Sequence, residues 1–268
     1  MQVVALENAL DENLFGSKAV GLGQAIRDGL PVPPGVALCG STVEAVAAED
    51  PEALKLVKKW VKPLGGPLAV RSSATDEDGV QASFAGQHLT LLNVLSHEVI
   101  GHALSEIWWS ANTDSAITYR QRMGLFTRPS VGVVVQSLLN PESAGVMFTS
   151  NPIDGSDERV VEASWGLGEV VVAGMVIPDH FRISRRGEVL ESKPGYKQVA
   201  IRLLADGGTA EDSVAKEKVE KLCLGDDQLQ ALHTLAARCE TVYGNGRDIE
   251  WAYAEGTIYL LQCRAITR

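Results

Sequence analysis

Leu68-Ala69-Val70-Arg71-Ser72-Ser73-Ala74-Thr75-Asp76-Glu77-Asp78 opens as a short apolar run and stops at an arginine. Two serines, a threonine and three acids follow, and the loop Ala82-Ser83-Phe84-Ala85-Gly86-Gln87 comes next. A strand tip of this kind has two readings. In one, Arg71 is a structural arginine paired with Asp76 or Asp78, and 82–87 is a simple turn. In the other, a fixed cation stands beside hydroxyls and a glycine loop because an anion belongs there.

The surrounding chain supplies the scaffold. Upstream lies "FGSKAVGLGQAIRDGLPVPPGVAL", beginning at Phe15. Apolar residues between Lys18 and Ile26 recur at helix spacing, and Gly29 is a natural C-terminal stop. Pro31, Pro33 and Pro34 then force an extended segment before the strand "GVAL". Residues 41–62 read as one helix with Ser41 or Thr42 as N-cap, and "KPLGGP" reads as a turn. Downstream, "HLTLLNV" is a strand candidate, and residues 96–123 read as helix with Trp108, Trp109 and Tyr119 packed inward. "SVGVVVQSLL" (130–139) has the continuous β-branched run of a buried strand. "SAGVMFTSNP" and "RVVEASWGLGE" follow as strands broken by glycine, then "DHFRISRRGEVLES" as a hairpin around Arg186-Gly187. Residues 211–243 read as helix, and "DIEWAYAEGTIYLLQCR" closes as a second hairpin. There is no internal repeat. Helices mixed with antiparallel hairpins predict an α+β fold, not a βαβ alternation.

With 268 residues, 28.7 kDa and 45% apolar content, the chain can bury a sizeable core. A net charge of −10 leaves no basic stripe for a nucleic acid, so an anionic ligand must be held by a few local cations and backbone N–H groups. Cys39, Cys223, Cys239 and Cys263 form no CxxC pair, which predicts reduced, buried thiols in a cytoplasmic protein. No basic leader precedes residue 13 and no run of about 18 apolar residues exists, so neither a signal peptide nor a membrane span is expected. "FGSKA" lacks the spacing of a P-loop, and "WGLGEVV" lacks the third glycine of a dinucleotide fingerprint.

The closing hairpin carries a second chemical pattern. Asp248, Glu250, Gln262 and Arg264 have even numbers, so each strand's pair shares a face. If the turn at Glu255-Gly256-Thr257 holds an odd number of residues, Glu250 faces Gln262 and Asp248 faces Arg264. The opposite face is then Ile249, Trp251 and Tyr253 against Tyr259, Leu261 and Cys263. A carboxylate beside an amide oxygen makes a hard ligand pair suited to Mg²⁺ on phosphates. The plain alternative is a solvated sheet face with one surface ion pair. Lys18, near a helix start, sits where a lysine is electrostatically disfavoured unless an anion shares the terminus.

Taken in order, "GSKAVGLGQAIRDGLPVPPG", "AVRSSATDEDGVQASFAGQHLTLLNV", "VVVQSLLNPESAGVMFTSNP", "ASWGLGE" and "DIEWAY…LLQCRAIT" resemble the ATP-binding domain of the pyruvate phosphate dikinase and phosphoenolpyruvate synthase family. Rifampicin phosphotransferase carries the same domain. The likeness runs from Phe15 to Thr267. It implies one ATP-grasp-like domain over 1–268, in two lobes of about 1–130 and 131–268, with ATP in the cleft between them. Carried over by motif position, Lys18 and Arg71 neutralise phosphate oxygens. The loop through Gly86 offers N–H groups to the phosphates, with Thr90 and Leu91 close behind. Gln136 sits at the adenine beside the Ser137-Leu138 backbone, Glu250 and Gln262 hold Mg²⁺, and Arg264 stabilises the transferring group. That is a site of positioning and electrostatics, as phosphoryl transfer requires.

Three departures accompany the likeness. The family's Gly-Gly-Lys is Gly16-Ser17-Lys18, its Gln-x-Arg-Pro ends in Ala265, and the segment between Lys18 and Arg71 is shorter. Family members continue into a domain with a phosphorylatable histidine and then an acceptor domain, neither of which is in this sequence. The implied partner is therefore a phosphohistidine-bearing protein or domain. The chain is either an excised domain or a subunit of a split system such as phenylphosphate synthase, with Met1 and Ala265 favouring the subunit. Two rival functions remain: an ATP-grasp carboxylate ligase and a non-catalytic ATP-sensing module.

Overall fold

The structure, a computed structural model, describes residues 1–74, 89–113, 118 and 130–266. Contacts divide the chain into two units. The first comprises Met1–Gln24, Pro34–Leu138 and Ala205–Gly208, and the second Ala25–Pro33, Leu139–Leu204 and Thr209–Arg268.

In chain order the first unit begins with β1 (Val3–Ala5) and α1 (Glu12–Arg27), then β2 (Gly35–Leu38), α2 (Gly40–Ala47) and α3 (Pro51–Val61). β3 (Leu68–Ser73), β4 (Thr90–Val94), α4 (Ile100–Ala111) and β5 (Gly132–Ser137) complete it. Its five strands form an antiparallel sheet in the order β1-β2-β5-β3-β4. Alternate residues Leu68, Val70, Val133 and Val135 pack with Val43, Val57, Ile100 and Leu104 of the helices. The opposite parity of β3 and β5, with Ala69, Arg71, Val134 and Gln136, therefore points to the other face.

Residues 41–62 form two helices, not the single one expected. Pro51 disfavours a helical residue before it, and the Asp50 carboxylate caps α3 by accepting the N–H groups of Glu52 at 2.9 Å and Ala53 at 3.3 Å. Glu49 turns the chain with φ 61°. Neither Ser41 nor Thr42 caps α2; its N-cap is Cys39, and the Thr42 hydroxyl instead bonds the Gln2 backbone. Within 96–123, the first described helical residue is Ile100, and α4 ends at Ala111. Trp108 packs on the core but Trp109 is exposed, because successive helical residues cannot share one face. Their rings meet edge-on at 4.9 Å. Tyr119 lies outside the described residues.

The second unit continues with β6 (Ser143–Phe148), β7 (Glu158–Trp165), α5 (Glu169–Val172), β8 (Asp179–Ser184) and β9 (Val189–Lys193). Then come β10 (Val199–Leu203), β11 (Thr209–Ser213), α6 (Lys216–Val219), α7 (Asp226–Tyr243), β12 (Arg247–Ala254) and β13 (Thr257–Ala265). Six strands form an antiparallel sheet in the order β13-β12-β6-β7-β8-β9. α7 buries Leu229, Leu232, Leu235 and Ala236 against Met147, Val161, Phe181 and Trp251 on one face of it. The helix ending before Gly29 closes as expected: Gly29 takes φ 73°, and Leu30 N–H reaches Ala25 O at 2.9 Å.

Two expectations for this unit are corrected. Gly145 does not break β6; it allows close approach, since a Cβ there would come within 1.9 Å of Glu162 O. The stretch 211–243 is not one helix. It starts in the separate hairpin β10–β11, whose turn uses Gly207 and Gly208 at φ 99° and 70°, and only 226–243 is a long helix. β11 is mostly exposed and polar, so no apolar alternation betrays it. Cys39, Cys223 and Cys239 are buried and Cys263 half-buried, all as free thiols. Among the described residues no helix is long and apolar enough to cross a membrane.

Candidate functional site

In the first unit the strand that opened the sequence reading does run through its arginine. Arg71 is buried on β3, directly opposite Thr90 of β4 and Val134 of β5. Gln136, 3% exposed, shares that face two residues along β5, opposite Ala69. α1 meets β3 at its C-terminal end. The helix is broken at Gly16, whose φ of 80° and ψ of 163° suit glycine, and whose missing Cβ would lie 2.0 Å from Ser73 O. After the break, Ser17 N–H donates to Ala74 O at 3.1 Å and Ala19 N–H to the Ser73 hydroxyl at 3.0 Å. The first N–H groups of the helix are thus capped by β3 and its exit. Buried Lys18 sends its Nζ to Ser72 O at 2.9 Å, which brings a second cation to the end of the Arg71 strand.

The remaining candidates here split by parity. Thr90 shares the Arg71 face, but Leu91 pairs with Val70 and packs on the core, so only its backbone is available to a ligand. Ser137 N–H donates to Pro34 O and Leu138 N–H to Pro67 O, both at 2.9 Å. A base at this strand end would meet carbonyls, not N–H groups. Gly86, the 82–87 loop, Asp76 and Asp78 lie outside the described residues.

In the second unit the structure pairs Glu250 with Gln262 and Asp248 with Arg264, the expected register reached by an unexpected route. The turn has two residues, Glu255 at φ 51° and Gly256 at φ 77°, joining Ala254 to Thr257. That turn alone would set Glu250 opposite Leu261. A β-bulge between Glu250 and Trp251 absorbs one residue and restores the Gln262 pairing. The apolar face therefore differs from expectation: Ile258 and Leu260, not Tyr259 and Leu261, pack beside Tyr253 and Trp251. Beyond the bulge, Cys263 takes its expected place opposite Ile249.

Electrostatics on the Glu250 face are unbalanced. Arg264 Nε donates to Asp248 Oδ2 at 2.8 Å, so the surface-pair alternative is partly realised. Yet Asp248 is buried, and among the described residues its Oδ1 has no hydrogen-bond partner. Burial above all, and the neighbouring Glu250 charge, push the Asp248 carboxyl above its ordinary pKa, against the pull of Arg264. An orphaned buried carboxylate oxygen beside a second carboxylate and an amide oxygen is a donor set that a hard divalent cation fits. Sequence reasoning assigned Asp248 no such part. The signal was its place two residues before Glu250 on the same face.

Comparison with known proteins gives the family. Residues 43–268 match the family model "Pyruvate phosphate dikinase, AMP/ATP-binding domain". The "Probable phosphoenolpyruvate synthase" of Archaeoglobus fulgidus is 33% identical over 303 aligned positions, covering 96% of this chain and 40% of that protein. Rifampicin phosphotransferase of Streptomyces sviceus is 38% identical over 229, covering 84% of this chain and 26% of that protein. The chain thus spans less than half the length of these curated relatives. Among solved structures, the VanG D-Ala:D-Ser ligase of Enterococcus faecalis aligns over 97% of this chain and 54% of its own, at 14% identity and a TM-score of 0.45. On the family match and the two curated relatives, the chain belongs to the pyruvate phosphate dikinase AMP/ATP-binding domain family.

Proposed function

We propose that this chain is the ATP- and Mg²⁺-binding component of an AMP-forming phosphotransferase. The observation that carries the reading is the bulged register that sets Glu250 opposite Gln262 beside the orphaned Asp248 oxygen. Lys18 and Arg71 neutralise phosphate oxygens, with Thr90, the Leu91 backbone and the loop through Gly86 as further phosphate contacts. Glu250 and Gln262 hold the cation, which supplies charge neutralisation on the phosphates when bound. Arg264, half-exposed and oriented by Asp248, stabilises charge on the transferring group. A histidine on a partner protein or domain attacks the β-phosphorus and AMP leaves, so the histidine carries both the β- and γ-phosphoryl groups. The terminal one passes to water or inorganic phosphate, and the remaining phosphohistidine serves an acceptor such as pyruvate, a phenol or another hydroxyl compound.

The test is product analysis with labelled ATP. The chain alone should turn over ATP slowly or undetectably, because it offers no acceptor and water must attack. Adding a histidine-bearing partner and its acceptor should release AMP, with label passing through the partner. ADP released only with a carboxylate substrate would replace this reading with the ligase. ATP binding without AMP from any partner would leave a sensor.

Gln136 and the strand-end carbonyls at Ser137-Leu138 suit a base edge that donates, as the amino group of adenine does and the guanine oxygen does not. ATP should bind more tightly than GTP by about tenfold or more. Gln136→Ala should weaken ATP binding by a similar factor, as read by calorimetry. Equal wild-type affinity for the two nucleotides would remove Gln136 from the base.

A further inference from the structure

Glu162 stands in the stretch Glu162-Ala163-Ser164-Trp165, to which no role above has been given. Antiparallel register carries one line of residues across the sheet of the second unit: Gln262, Glu250, Val146, Glu162, His180 and Lys193. Residues directly opposite one another project to the same side, so all six side chains stand on the face opposite α7. Strand spacing sets the Cα atoms of Glu250 and Glu162 about 10 Å apart, with only half-buried Val146 between them. Two glutamates leaning across a valine can bring their carboxylates to one cation.

Charge and satisfaction point the same way. Glu162 is half-buried, and among the described residues its carboxylate has no hydrogen bond or ion pair. The neighbouring line holds Asp248, more than nine-tenths buried, whose Oδ1 lacks a partner among the described residues. Ser164, fully buried two residues along β7 on the same side, has a hydroxyl that likewise lacks a partner among them. The nearby cation Arg182 is already engaged by Glu158 and Glu191. On this face Asp248, Glu250 and Glu162 outnumber Arg264 and the exposed Lys193, and a divalent cation lowers the repulsion among the carboxylates.

We propose that Glu162 is a further oxygen donor to the divalent cation assigned to Glu250 and Gln262, reaching it across Val146; this rests on the metal reading given above. The experiment is Mn²⁺ binding, followed by electron paramagnetic resonance of the free ion, with a non-hydrolysable ATP analogue present. Wild type, Glu162→Gln, Glu162→Ala and Glu250→Ala are compared, with thermal midpoints taken in metal-free buffer. Both Glu162 variants should lose about tenfold or more in Mn²⁺ affinity. Their metal-free midpoints and their binding of the analogue without metal should match wild type. Wild-type Mn²⁺ affinity in the Glu162 variants, with binding lost in Glu250→Ala, would overturn the Glu162 assignment and leave the metal reading standing. Equal Mn²⁺ binding in wild type and Glu250→Ala would overturn both. A metal-free midpoint lowered in both Glu162 variants would make Glu162 structural and overturn the proposal.

Discussion

Glu250→Ala should reduce Mg²⁺-dependent nucleotide turnover, assayed with the histidine-bearing partner present, by about a hundredfold or more. The thermal midpoint should stay within about 2 °C of wild type. Glu250 is half-exposed on the face away from the α7 core, so its removal opens no cavity. It also removes a charge that raises the pKa of Asp248, so any small shift should be upward. A large fall in midpoint with turnover retained would make the Glu250–Gln262 pair structural.

The second large effect is on stability. Asp179→Ala should cost about 3–5 kcal/mol, or a fall in midpoint on the order of 10 °C followed by circular dichroism. Asp179 and Lys197 form an ion pair in which both side chains are fully buried. The same carboxylate accepts the N–H groups of Gly195 at 2.8 Å and Cys223 at 2.7 Å, tying β8 to two separate loops. Truncation would leave a buried ammonium without its counter-charge and two N–H groups without their acceptor. A loss below about 1 kcal/mol would show that Lys197 finds another acceptor. This pair was invisible in the sequence, where Asp179 opens one hairpin and Lys197 stands eighteen residues later with no helical or strand spacing between them.

How much was legible differs from one stretch to the next. The continuous β-branched run within 130–139 and the apolar run before Arg71 declared buried strands, because a run of consecutive apolar residues is a local property. Gly29 declared a helix end for the same local reason. The single helix over 41–62 failed because apolar spacing continues on both sides of Asp50-Pro51, and the proline's backbone restriction outweighs it. The exposed Trp109 failed because composition says that tryptophans bury, and only the helix phase says which of two neighbours does.

The candidate site shows the division most clearly. Ordered motifs in the sequence by itself determined the family and named Lys18, Arg71, Gln136, Glu250, Gln262 and Arg264, since residue types at given positions need no coordinates. The even numbering of Asp248 and Glu250, and of Gln262 and Arg264, determined that each strand's pair shares a face. Tertiary structure alone decided that Glu250 meets Gln262, because the tight turn by itself pairs it with Leu261 and a bulge one residue deep corrects the register. It alone decided that Glu162 shares that face and that one Asp248 oxygen there has no hydrogen-bond partner among the described residues, since strand order is not written in the spacing of any segment. Pairing between strands far apart in the chain depends on how whole sheets bury their apolar sides, which is a property of the assembled sheet and not of any stretch of it.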